Sequence, residues 1–391
     1  MQSGNKLIVA ATLAACLTPS AFAVEYLLPQ QGSVIGEISQ TLADSSDTLL
    51  DVARRYNLGY EEIKLANPEV DPWLPGAGQP VVLPTRYVLP DAPRRGLVLN
   101  VAEMRLYYYP KKRRGQPRTV ITHPVSIGRY DWATPLGRTK VVSKVRDPAW
   151  YPPASVRAEH AADGAPLPPV VPAGPDNPLG RHALLLGIKG YLIHGTNKPF
   201  GIGMRVSHGC VRMYPEDIEE LFGKLPVGTP VYIVDEPVKV GHAADGSLVV
   251  EAHPRGGQRD GEDAVKDVYT QVDAVEPLLL AALDESTGMV DLDATRLALR
   301  RLSGMPVEVS AGTLAVAPEP AGYGPGGVVL PAPEPTSVVP AALVPEVPAS
   351  GPRQRWQFSG TPKRVHSGNR TSSPPKRQKF VDPWGPRSLS N

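Results

Sequence analysis

Tyr191-Leu192-Ile193-His194-Gly195-Thr196 and, after eleven further residues, His208-Gly209-Cys210-Val211-Arg212 are the segments from which the rest of the chain is read. A short apolar run ending on a histidine reads as a strand that presents an imidazole at its end. The cysteine follows Gly201-Ile202-Gly203, a glycine-rich loop that lets the chain fold back on the strand. A thiol becomes a competent nucleophile when an imidazole takes its proton or a positive environment lowers its pKa. Cys210 and His194 are therefore the expected nucleophile and base. Amide N–H groups at Gly209 and Cys210 suit an oxyanion hole, where one donor is worth about 2.7–4 kcal/mol. The second imidazole nitrogen needs an acceptor. No Asp or Asn is suitably placed in sequence, which leaves a backbone carbonyl such as that of Gly195.

Three neighbours take supporting parts. His208 can donate to an oxyanion or raise thiolate content. Ser207 can hydrogen-bond His208 or cap a turn. Arg212 can hold a substrate carboxylate with its planar fork or form an ordinary ion pair. His194, His208 and Cys210 are also metal-ligand types. With only Met213 as a further ligand, the set suits a nucleophile loop better, so no metal and no cofactor are expected.

Working outward, residues 96–236 read as a mainly β domain. Strands are predicted at Leu97–Val101, Met104–Tyr109, Val120–Ile127, Thr139–Val145, Ala183–Ile188, Tyr191–His194 and Val231–Val234, with a proline-started helix at Pro215–Leu221. Between Asp147 and Gly180 lies a proline-rich insertion without periodicity, far longer than an ordinary connection. Residues 41–85 read as a small α/β module. Asp47 or Thr48 caps a first helix, Tyr60–Ala66 forms a second, and Val81-Val82-Leu83 is a strand. Residues 237–310 read as a small α+β appendage: a hairpin over Val238–Val250, then helices near Ala264–Leu280 and Asp293–Leu302. Residues 311–391 form a Pro-rich linker and a disordered tail.

The ends carry the export and charge signals. Residues 1–23 read as a signal peptide: Lys6, the apolar run Leu7–Leu17, the breaker Pro19 and the cleavage triplet Ala21-Phe22-Ala23. A competing lipobox, Leu13-Ala14-Ala15-Cys16, would place a lipid on Cys16. Export implies a periplasmic, envelope-associated protein, and no run reaches the ~20 apolar residues of a membrane helix. After cleavage at Ala23, Cys210 is the sole cysteine and has no disulfide partner. Net charge is only +2, which points to no particular partner and to no nucleic acid, although residues 352–391 alone hold nine Lys or Arg against one Asp.

His194-Gly195-Thr196 followed by Ser207-His208-Gly209-Cys210-Val211-Arg212-Met213 resembles the signature of L,D-transpeptidase (YkuD) catalytic domains. Thr134-Pro135-Leu136-Gly137, Trp150-Tyr151-Pro152-Pro153 and residues 174–180 resemble the ErfK/YbiS group in particular, and residues 41–85 resemble a LysM module. The resemblance implies a β-sandwich-like catalytic domain. It implies that Cys210 attacks the bond between diaminopimelate and the terminal D-Ala of a peptidoglycan tetrapeptide stem, leaving a thioester. An amine then resolves it, either the lysine of a Braun-type outer-membrane lipoprotein or another stem's diaminopimelate. His194 and Cys210 are then catalytic, and Gly195, Ser207, His208, Gly209 and Arg212 serve the oxyanion or the substrate. The LysM resemblance implies glycan as a further partner. The alternatives are an L,D-carboxypeptidase, with water as acceptor, and a non-catalytic peptidoglycan-binding anchor.

Overall fold

Strands β6 (Gly96–Asn100), β7 (Arg105–Tyr109) and β8 (Thr119–Pro124) form an antiparallel meander, with β1 (Val24–Leu27) on its outer edge. The structure is a computed structural model that describes residues 24–254, 277–280 and 289–311. Beside β6, β15 (Pro230–Val234) runs parallel to it and antiparallel to the first half of β10 (Gly137–Arg146). The register of β10 shifts between Val141 and Ser143, and its second half pairs with β11 (His182–Leu186). From there the sheet continues to β12 (Leu192–His194) and β14 (Val211–Arg212). A bulge of this kind lets one strand serve two sheet faces, so the nine-stranded sheet curls on itself.

The curl encloses the main core. Leu97, Leu99, Leu106 and Ile121 from the first half meet Leu184, Leu186, Ile193 and Val211 from the second. The alternate residues Val98, Tyr107, Tyr109, Val120 and Tyr232 face outward and are covered by Ile35, Tyr87 and Leu89. Burial on both faces explains why β6 and β7 read as unbroken apolar runs. The mainly β class expected from the sequence is the one observed. The strands β2 (Val34–Gly36) and β5 (Arg86–Val88), which pair, and β1 itself run for only three or four residues each, too short to show a period-two pattern in the sequence.

A β-α-α-β unit stands between β1 and β6 in the chain: β3 (Ser39–Leu42), α1 (Leu49–Arg55), α2 (Tyr60–Ala66) and β4 (Pro80–Leu83), with β3 and β4 paired. Its core is Leu49, Val52, Leu58, Ile63, Val81 and Leu83. Thr48 is the cap of α1, in a capping box with Asp51, while Asp47 takes Arg55 in a two-pronged ion pair. The start of α2 leans on the loop that leads to Cys210. The Tyr60 N–H donates to Ile202 O at 3.0 Å and the Glu61 N–H to Gly203 O at 3.3 Å. Gly203, at φ +85°, has no room for a side chain there, since a Cβ would lie 2.2 Å from Tyr60 N. Arg105 of β7 pairs with Glu62 and donates to Thr122 Oγ1 at 2.8 Å.

On the other flank, β16 (Val238–His242), β17 (Leu248–Ala252) and β19 (Val307–Glu308) form a small sheet under α5 (Leu292–Arg301). β18 (Met289–Val290) pairs with β20 (Ser310–Ala311). Lys239 joins this part to the main sheet, its ammonium 2.7 Å from both Glu103 Oε2 and Glu251 Oε1. The hairpin and the second helix stand where the sequence placed them. The signal segment 1–23, most of the helix expected at Ala264–Leu280, and residues 312–391 lie outside the described residues. Among the described residues, no helix is long and apolar enough to cross a membrane.

The insertion at 147–180 corrects the expectation of an aperiodic loop. It contains α3 (Ala154–Ala162) and a bridge between Trp150 and Val171. Pro152-Pro153 stiffen the approach, and Ala-Ser-Val-Arg-Ala-Glu-His-Ala-Ala is rich in helix formers. Only Val156 of the helix is buried, so no apolar periodicity announced it. Asn177 ties down the far end, donating to Pro148 O at 2.8 Å and Pro172 O at 3.0 Å.

Candidate active site

β12 and β14 run parallel with His194 opposite Arg212. Cys210 immediately precedes β14, which brings the thiol to the start of the strand that runs beside His194. Ile193 and Val211 of these strands point into the core. His194 is buried, and its Nδ1 lies 2.7 Å from Gly195 O. A carbonyl only accepts, so Nδ1 carries the proton and Nε2 keeps its lone pair. The expected backbone partner of the imidazole is thus present. Burial, helped by the Arg212 charge, pulls the His194 pKa down to about 3, against partial opposition from Gly195 and Leu179. The ring is therefore neutral at pH 7.

Cys210 is half-buried, and its thiol points to Gly190 O at 3.7 Å. Burial pushes the thiol pKa up, and the Leu192 backbone and Arg212 hold it down in part. The resting site is accordingly a neutral thiol beside a neutral imidazole, not an ion pair. Arg212 has no ion-pair partner among the described residues, and its Nε is buried without an acceptor. Of the two readings of Arg212, an ordinary ion pair is thus the one the structure does not form.

The turn before Cys210 is tightly bonded. Ser207 Oγ donates to Cys210 O and accepts the Gly209 N–H at 3.2 Å, so Ser207 caps this turn and does not bond His208. The Gly209 amide is therefore committed within the turn, which leaves the Cys210 N–H as the donor without a protein partner among the described residues. Gly209 has φ +99°, and a Cβ there would lie 2.8 Å from Tyr191 Cε1. His208 is engaged by Glu159 and Trp132. Its Nε2 meets Glu159 Oε2 at 2.8 Å, and its ring stands edge-on to Trp132 at 5.0 Å. Gly195 donates its N–H to His182 O at 3.0 Å and follows the histidine into the loop.

Two further residues hold the site and were given no role by the sequence. Thr134 Oγ1 accepts the Gly128 N–H at 3.0 Å and donates to Gly209 O at 2.9 Å. Its place in Thr134-Pro135-Leu136-Gly137 was the available signal. Glu159 lies in α3, where nothing in the sequence marked it.

Metal-ligand types converge elsewhere. One oxygen or nitrogen each of Glu103, Glu251 and His253 lie within 4.8 Å of one another. The Lys239 ammonium already bonds both carboxylates and supplies the positive charge.

A buried, Nδ1-protonated imidazole at the end of β12 and a thiol immediately before the neighbouring β14 define a Cys–His site on a mainly β scaffold. Residues 94–233 match the YkuD model, the L,D-transpeptidase catalytic domain. The chain is 43% identical over 305 residues to the "Probable L,D-transpeptidase YbiS" of Escherichia coli strain K12, covering 75% of this chain and 94% of that one. It is 42% identical over 295 residues to the "Probable L,D-transpeptidase ErfK/SrfK" of Salmonella typhimurium, covering 74% and 92%. Among solved structures, the catalytic domain of the E. faecium L,D-transpeptidase aligns at 21% identity over 37% of this chain and 99% of that one, with a TM-score of 0.27. This chain belongs to the L,D-transpeptidase family.

Proposed function

We propose that the protein forms a thioester between Cys210 and a peptidoglycan tetrapeptide stem, releases D-Ala, and passes the acyl group to an amine. The observation that carries this reading is the His194 imidazole, buried, neutral and fixed with its proton on Nδ1. Nε2 is the free base. It takes the proton of the Cys210 thiol as sulfur attacks the carbonyl carbon of diaminopimelate. The oxyanion meets the Cys210 N–H, and the nearby Arg212 adds positive potential. Collapse breaks the amide bond, and His194 returns the proton to the departing D-Ala nitrogen. The acceptor amine then attacks the thioester, gives its proton to Nε2, and the sulfur leaves and is reprotonated.

The acceptor is the lysine of a Braun-type lipoprotein or a second diaminopimelate. Arg212, uncommitted to any carboxylate among the described residues, is the group to receive one from the stem. Residues 41–85 act as a LysM-like glycan-binding module and residues 96–236 as the catalytic domain, in a periplasmic protein released by cleavage after Ala23.

Intact mass after incubation with a disaccharide-tetrapeptide, and in parallel with a carbapenem, tests the reading. An adduct on the wild type, absent from C210A, with D-Ala released from the stem, is expected. A folded wild type with a free thiol that takes neither ligand would reduce the protein to a peptidoglycan-binding anchor.

A further inference from the structure

Helix α3 is attached to the protein through very little apolar surface. Val156 is its one buried residue, and Glu159 and His160, three and four positions on, are its other covered side chains. Glu159 makes the decisive contacts. Its Oε1 accepts from Arg129 Nη2 at 2.7 Å and its Oε2 from His208 Nε2 at 2.8 Å. A carboxylate accepts, so His208 holds its proton on Nε2 and commits that nitrogen to Glu159.

Both partners of Glu159 belong to the frame around the thiol. The Arg129 N–H donates to Ser207 O at 3.0 Å, at the start of the turn. His208 lies inside the turn, two residues before Cys210, with its ring against Trp132. His160 of the same helix approaches that ring at 6.5 Å. One carboxylate from a thinly attached helix thus grips the Ser207–Cys210 turn at two points.

We propose that Glu159 is a positioning residue for Cys210, acting through His208, and that it latches the 147–180 insertion onto the turn that presents the thiol. The inference rests on the cysteine reading of the site. It makes the insertion part of the machinery that sets the thiol's approach to the substrate. The groups Glu159 bonds are Arg129 and His208, so it acts on the thiol through them.

Carbapenem acylation followed by time-resolved intact mass on the full mature chain provides the test, with the maximal acylation rate separated from the apparent binding constant. E159A is expected to lower the maximal rate about 10- to 100-fold, the scale on which a ~1 Å misplacement of a reacting group acts, and to leave the binding constant little changed. E159Q keeps one acceptor oxygen for the Arg129 and His208 donors in place of two, so it is expected to recover part of the rate. D163N, at the exposed end of α3, is expected to behave as wild type.

The route through His208 is read from a cycle: E159A is expected to cost much less in an H208A background than in the wild type, where only the Arg129 hold is left to lose. An E159A protein as fast as wild type overturns the inference, and so do E159A and H208A effects that multiply. Should E159A unfold, E159M, which keeps the length and helix propensity of the side chain and removes both acceptor oxygens, replaces it in the same cycle with the same two overturning outcomes. A wild type that takes no carbapenem sinks the cysteine reading itself, and C210A run alongside separates that failure from the failure of the latch.

Discussion

Thr134→Val is the most informative single change outside the Cys–His pair. Valine keeps the shape of threonine and removes its hydroxyl. In the structure that hydroxyl accepts the Gly128 N–H at 3.0 Å and donates to Gly209 O at 2.9 Å, and both backbone groups are buried. The substitution strands a donor and an acceptor at once. A buried polar group left without a partner costs about 1–3 kcal/mol, so the pair is expected to cost about 2–6 kcal/mol. Against a typical domain stability of about 5–15 kcal/mol, that is severe. The Gly209 carbonyl also loses the tether that fixes the peptide before Cys210, so acylation is expected to slow about 10- to 100-fold in the fraction that remains folded. Thr134→Ser keeps both bonds and is expected to lose less than about 1.5 kcal/mol and little rate. Urea unfolding gives the stability and carbapenem acylation the rate. A T134V protein as stable and as fast as T134S would refute the assignment of Thr134 as the post that holds this turn.

Two further outcomes follow from buried charge. The His194 pKa is about 3 when folded, against about 6.5 when unfolded. Between those values the unfolded chain binds the extra proton, so stability rises with pH through this window, by up to about 1.4 kcal/mol per unit, and is lost as pH falls toward 3. H194Q is expected to flatten the slope of stability against pH between 4 and 6, and equal slopes for the two proteins would reject it. Glu62→Gln leaves the buried Arg105 guanidinium without its counter-ion and is expected to cost about 3–5 kcal/mol. Replacing both partners with leucine and methionine is expected to recover much of that. A double variant as unstable as E62Q in thermal melts would count against the pair as the cause.

The sequence was sufficient for whatever depends on local pattern and residue chemistry. The apolar runs of β6, β7, β11 and β12 are legible because these strands are buried. Thr48 and Pro215 mark helix starts through capping and a fixed φ. Cys210 and His194 stand out as a thiol and an imidazole on glycine-flanked loop and strand, and the Gly195 carbonyl followed as the imidazole's partner by elimination. Other features belong to contacts between distant segments, which leave no periodicity. α3 buries one side chain, so its helix and its Glu159 were hidden in a proline-rich stretch. The choice between donors at Gly209 and Cys210 turned on where Ser207 Oγ points. The role of Thr134 needs Gly209, 75 residues further along the chain, brought beside it and Gly128. The depressed pKa of His194 is a property of burial beside Arg212, set when β14 lies down against β12. Residue types fix which chemistry is available; which nitrogen is free, which amide is already spent and how far each proton is held from water are decided by tertiary packing, because desolvation and hydrogen-bond direction exist only once distant strands meet.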